Sequence, residues 1–179
     1  TDKQLHVAAA TVEPGTGALR GFFGGQDYLD SQINWAVAGG MAGSTLKAPA
    51  LVAAIRDGFS LKDTFDGNSP LVLPDGVDFE NQGDKDYGSR ISMVTATENS
   101  VNTAFIDMVD SMENGPQKVV DAARDLGIPG LDGDKFGIPR RTTDLQPILG
   151  LPLGTAQDSP INLANAYATI AAGGQRAAV

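Results

Sequence analysis

At 179 residues, with a formal net charge of −9 and a pI near 4.4, the chain is long enough to bury a core as one domain or one large lobe. Its thirteen basic residues are scattered, which argues against nucleic acid or an anionic membrane surface as partner. It has no cysteine and a single histidine, His6, which excludes disulfides, thiolate chemistry, Cys-based zinc sites and His-pair metal sites; no cofactor is implied.

No stretch approaches the roughly 20 apolar residues of a membrane span, and Thr1-Asp2-Lys3-Gln4 lacks a signal-peptide pattern, so any anchor or export signal is expected outside these residues. Leu5 to Val12 is an apolar, β-leaning run, Glu13 to Gly17 supplies turn residues, and Leu19, Phe22 and Phe23 follow, which predicts an antiparallel hairpin. Gln26 to Met41 carries Tyr28, Ile33 and Trp35 among polar residues. Gly43 and Ser44 then open a helical stripe of Leu46, Ala50, Leu51, Ala54 and Ile55, with Pro49 tolerated in the first turn and Gly58 as the stop.

Asp63 to Gly88 is rich in Asp, Gly, Asn and Pro and reads as a long, mostly irregular excursion, either shaping a binding site or serving as a surface insertion. From Ser92 the pattern turns helical, breaks at Asn99–Asn102, and resumes with Phe105, Ile106, Met108, Val109 and Met112. Gly115-Pro116 starts another helix with Val119, Val120, Ala123 and Leu126 on its apolar face. Pro129 to Thr155 reads as turns with short extended pieces, and Ser159-Pro160 starts a last helix that ends before Gly173-Gly174. There is no internal repeat.

Two short motifs carry chemistry. Ser44-Thr-Leu-Lys47 places a lysine one helical turn from a serine, and a serine hydroxyl needs a base within hydrogen-bond reach to act as a nucleophile at neutral pH. That lysine must be neutral to accept a proton, so burial has to lower its pKa. Ser100-Val-Asn102, at a break between two helices, can project a proton-relaying hydroxyl and an amide-binding side chain into a cleft. The plain alternatives are that Ser44 caps a helix beside a solvated Lys47, and that Ser100 and Asn102 form a local cap. His6 reads as structural, and Trp35 and Tyr28 either line a cleft or pack in the core. Gly39, Gly40 and Gly43 form no phosphate loop, since no Gly-Lys-Ser/Thr follows.

Ser44-x-x-Lys47 with Ser100-x-Asn102 resembles the first two of three motifs of the penicillin-recognising serine enzymes. The likeness extends along nearly the whole chain. Val7 to Arg20 through Gly24-Gly25 resembles the opening hairpin of a class A penicillin-binding protein transpeptidase domain. Gly43 to Lys47 resembles its nucleophile helix, and Leu153-Gly-Thr155 with the segment from Ser159 to Gly174 resembles the helix ahead of its third motif. The fold this implies is α/β, of the β-lactamase/transpeptidase type: an antiparallel sheet with flanking helices plus a helical lobe, incomplete at its C-terminus. Residues 1–179 would be the N-terminal and central part of one such domain.

By resemblance, the activity is that of a peptidoglycan D,D-transpeptidase on stem peptides ending in D-Ala-D-Ala, at the outer face of a bacterial cytoplasmic membrane, with β-lactams acylating Ser44. Lys47 would be the base, Ser100 the proton relay, and Asn102 the residue that orients the acyl-chain amide. Two departures stand out. Ala48 follows the motif lysine where many relatives have proline. The third motif, Lys-Thr/Ser-Gly, is absent: Lys135-Phe-Gly137 lies upstream of the helix it should follow and lacks the hydroxyl residue. A further C-terminal segment or second chain is therefore expected to complete the site. The rivals are a non-catalytic sensing or scaffold module and a serine β-lactamase or D,D-carboxypeptidase. Against fast hydrolysis, no glutamate follows Glu113, where a class A β-lactamase would carry its deacylating base.

Overall fold

The computed structural model describes residues 5–142 and 144–179. In chain order the elements are β1 (Ala9–Val12), β2 (Leu19–Phe23), α1 (Trp35–Ala38), β3 (Gly40–Met41), a 3₁₀ turn (Gly43–Leu46), α2 (Lys47–Arg56), β4 (Thr64–Phe65), β5 (Leu71–Val72), β6 (Asp78–Phe79), a 3₁₀ turn (Gln82–Asp84), β7 (Ile91–Ser92), α3 (Met93–Glu98), α4 (Asn102–Asp110), α5 (Gly115–Leu126), a 3₁₀ turn (Leu151–Leu153), β8 (Gln157–Asp158) and α6 (Pro160–Ala171). They form two compact units, one comprising residues up to Ala42, Ala123–Leu145 and Thr155–Val179, the other Gly43–Ala122 and Gln146–Gly154.

The first unit is a hairpin with helices against it. β1 and β2 pair antiparallel, Ala9 opposite Phe23 and Val12 opposite Leu19, with a register shift at Thr11/Val12. The Glu13 carboxylate ties the turn by accepting from the Thr16 hydroxyl at 2.6 Å and the Arg20 guanidinium at 2.7 Å. The strand begins at Ala9, later than the apolar run predicts, and Leu5 and Val7 stay exposed. His6, ahead of the strand, stacks on Trp35 at 3.9 Å between centroids. Tyr28 is exposed, so it is not core. α6 starts at Ser159-Pro160 as predicted, the Ser159 hydroxyl accepting from the Asn162 N–H, and it packs on β1 and α1, with Ile161, Ala166 and Ala168 among its buried residues. The β3–β8 ladder, Gly40 opposite Asp158, is not visible in the sequence pattern, because two-residue strands carry no periodicity.

The second unit is mainly helical. α4 supplies its centre: Phe105, Ile106, Met108 and Val109 are fully buried, and the helix packs on α2 and α3. Burying side chains of this size is worth about 2–3 kcal/mol each. The excursion from Asp63 to Gly88 is irregular for the most part, as its composition predicts, but it is pinned by the β5–β6 hairpin and by β4, which pairs with β7. Between Pro129 and Thr155 the predicted extended pieces are absent among the described residues; the one regular element there is the 3₁₀ turn Leu151–Leu153. No helix among the described residues is long and apolar enough to cross a membrane.

Candidate active site

The second unit brings Ser44, Lys47, Ser100 and Asn102 together. Ser44 and Lys47 are separated by one turn of 3₁₀ rather than α-helix, so their side chains eclipse, and Lys47 Nζ lies 2.9 Å from Ser44 Oγ. Ser44 does not cap α2: the cap position is Leu46, with no side-chain hydrogen bond. Lys47 is not a solvated surface residue either, since it is only 5% exposed while both serines face solvent.

Lys47 Nζ also lies 2.9 Å from the Ser100 carbonyl, 3.0 Å from Ser100 Oγ and 2.7 Å from Asn102 Oδ1. Two of these four partners, the carbonyl and the amide oxygen, can only accept. A neutral amine has two N–H groups for those two acceptors and one lone pair left for a hydroxyl proton. The geometry thus suits the base form. The electrostatics agree: none of the ion pairs among the described residues involves Lys47, and burial lowers its pKa from 10.5 to about 8. The fully buried Phe105 ring lies 5.6 Å from Lys47 Nζ.

The break between α3 and α4 presents the second motif. α3 closes with the Val101 N–H donating to the Ala96 carbonyl at 2.9 Å and the Ser100 N–H to the Thr97 carbonyl at 3.2 Å, the paired bonds of a Schellman ending. Such an ending wants a left-handed residue, usually glycine, at the position Ser100 occupies with φ +54°. The chain therefore holds a serine where backbone sterics favour glycine, and the turn aims its carbonyl and hydroxyl at Lys47. Asn102 starts α4, with its side chain engaged at both ends: Oδ1 accepts from Lys47, and Nδ2 donates to the Glu80 carbonyl at 2.9 Å.

Four contributors escape the sequence reading. Phe105 looks like any core aromatic. Glu80 acts through its main chain, and Asn81 beside it is one polar residue among many in the excursion. Gly154 sits at the end of the Leu151–Leu153 turn with φ +87°, where a Cβ would fall 2.0 Å from the Gly43 nitrogen, so the two backbones touch just before Ser44. The Lys-Phe-Gly look-alike does something local: Lys135 stacks on the Phe136 ring at 4.6 Å. Among the described residues no cluster of His, Cys, Asp or Glu is suited to a metal.

Residues 7–179 match the family model described as the penicillin binding protein transpeptidase domain. Penicillin-binding protein 1A of Mycobacterium tuberculosis is 34% identical over 97% of the chain, and that of Mycolicibacterium smegmatis 33% identical over 97%. The chain spans only about a fifth of the length of these relatives, 21% and 22%. Among solved structures, PonA1 from Mycobacterium tuberculosis in complex with penicillin V superposes with a TM-score of 0.82 at 32% identity, covering 97% of this chain and 45% of the other. An imipenem acyl-enzyme of penicillin-binding protein A from the same organism shares the fold, with a TM-score of 0.72 at 20% identity and coverage of 93% and 46%.

Proposed function

The chain belongs to the penicillin-binding protein transpeptidase family, and from that membership we propose that it supplies the nucleophile side of a peptidoglycan D,D-transpeptidase site. The observation that carries this reading is the buried Lys47 amine, without a carboxylate partner among the described ion pairs, held 2.9 Å from the exposed Ser44 hydroxyl. Neutral Lys47 takes the Ser44 proton as Oγ attacks the carbonyl of a terminal D-Ala-D-Ala bond. The tetrahedral oxyanion collapses as the leaving amine takes a proton from Ser100 Oγ, which Lys47, 3.0 Å away, replenishes. D-Ala departs, an acyl-enzyme remains on Ser44, and the amine of a second stem peptide attacks it, its proton passing through neutral Lys47 to the departing Ser44 Oγ, so that the cross-link forms and the serine is regenerated.

Asn102 keeps a second amide proton and a second lone pair free beyond its bonds to Glu80 and Lys47, enough to align the amide of the acyl chain. The wall opposite is assigned to a segment carrying the Lys-Thr/Ser-Gly strand, a reading supported by the greater length of the relatives. The work is done outside the bacterial cytoplasmic membrane. Retention of the whole Ser44–Lys47–Ser100–Asn102 contact set favours an enzyme over a scaffold. Penicillin is the direct test: intact-mass and peptide mass spectrometry of the full-length protein are expected to find one penicilloyl adduct, on Ser44, that Ser44→Ala abolishes. An unmodified protein would favour the scaffold.

The strained turn gives a second expectation. Ser100→Gly relieves a left-handed serine, worth about 1–2 kcal/mol, against the extra chain entropy of glycine, about 0.5–1 kcal/mol. Urea melts should show a net gain of about 0.5–1 kcal/mol, while the missing hydroxyl slows acylation by penicillin. A variant neither more stable nor slower would remove both the strain and the relay.

A further inference from the structure

α4 begins without a cap of its own. Its cap position is Val101, which has no side chain able to accept a hydrogen bond, yet the helix start is buried: Val101 is 1% and Thr103 0% exposed. Buried N–H groups in the first turn of a helix must find an acceptor elsewhere. The Thr103 N–H finds Asn81, twenty-two residues upstream and 4% exposed. Its Oδ1 accepts from the Thr103 N–H at 3.1 Å and from the Thr103 hydroxyl at 3.3 Å.

The rest of Asn81 is tied just as fully. Nδ2 donates to the carbonyls of Gly67 and Lys85, both at 3.0 Å, and its own N–H donates to Ser69 Oγ at 3.0 Å. One side chain therefore caps α4 from another part of the chain and closes the excursion on itself. Its neighbours face the site on both sides. Glu80, immediately before it, accepts from Asn102 Nδ2, and Asn102, immediately before Thr103, accepts from Lys47. The Glu80-Asn81 pair and the Asn102-Thr103 pair thus form a two-rung clamp.

We infer that Asn81 is a positioning residue of the acyl-transfer site: capping α4 in trans through Thr103, it fixes the Glu80 carbonyl that orients Asn102 and, through Asn102, Lys47. This rests on the transpeptidase reading of that site. None of the hydrogen bonds of Asn81 reaches Ser44 or Lys47, so its contribution runs through the Asn102-Thr103 start of α4.

The test is the second-order rate of Ser44 acylation by a fluorescent penicillin in the full-length protein, measured well below the melting temperature. Asn81→Ala is expected to slow acylation about tenfold to a hundredfold, the scale on which small misplacements of reacting groups act. Asn81→Gln, which keeps both an acceptor for Thr103 and a donor for the Gly67 and Lys85 carbonyls, should recover part of that loss and also serves if the alanine variant is poorly folded. A structural role alone is separated in two ways. Asn162→Ala removes an equally buried asparagine of the other unit, bonded to Ile138 and Pro139, and at comparable destabilisation should leave the rate unchanged. The double variant Asn81→Ala/Asn102→Ala should be within about twofold of Asn102→Ala, since coupled residues do not add. Wild-type rates in Asn81→Ala, or losses that multiply in the double variant, would overturn the inference. Absence of labelling in the wild type would overturn the transpeptidase reading instead.

Discussion

Lys47→Ala is expected to slow the acylation of Ser44 by penicillin about 10³-fold, within the range in which a positioned general base contributes. The magnitude follows from what the side chain does. No histidine lies in the unit that holds Ser44, and burial brings the Lys47 pKa down to about 8, close enough to working pH for a substantial neutral fraction. Wild-type acylation should therefore rise with pH through about 8 and level off above it. A flat profile, or an alanine variant within about tenfold of wild type, would place the base elsewhere.

The same burial has a stability consequence of definite sign. The folded-state pKa of about 8 lies below the ordinary 10.5, so between those values the unfolded chain binds more protons than the folded one. Stability rises with pH across that window, and below pH 8 the folded state carries the full penalty of a buried charge. Lys47→Met should flatten the dependence and melt at higher urea than wild type at pH 7. Loss of activity with gain of stability separates a functional lysine from a structural one.

Gly154→Ala is expected to destabilise the protein by about 3 kcal/mol or more and to cripple Ser44 acylation. Two costs combine: a left-handed alanine costs about 1–2 kcal/mol, and its Cβ meets the backbone N, Cα and O of Gly43 at 2.0–2.1 Å, a main-chain collision that no rotamer relieves. Gly43 immediately precedes Ser44, so relaxing the clash moves the serine away from Lys47. Gly58→Ala is the matched control. Gly58 has φ +98° but nothing within 4 Å of its Cβ position, so it bears the backbone cost alone. Equal urea midpoints for the two variants would mean that the Gly43–Gly154 approach is not a constraint.

The helices were legible because each rests on local signals that agree. α6 has Ser159-Pro160 in front and an apolar stripe behind; the gap between α3 and α4 shows as a lapse of that stripe at Asn99–Asn102. The Ser44-x-x-Lys47 spacing was legible for the same reason, since one turn suffices to bring serine and lysine together. The short ladders were not: β3–β8 and β4–β7 join segments far apart in sequence through two residues each, and only packing decides that they pair.

For the site the division is sharper. The sequence by itself determined which groups could do the proposed chemistry, because hydroxyl, amine and amide are properties of residue type and the two motifs fix their local spacing. Tertiary structure decided the state of those groups. Burial makes the Lys47 amine a weaker base, the left-handed turn at Ser100 aims a hydroxyl fifty-three residues away at it, and Asn81 supplies the cap that α4 lacks. Desolvation, strain and capping in trans all depend on atoms brought together from distant parts of the chain, and no local pattern encodes them.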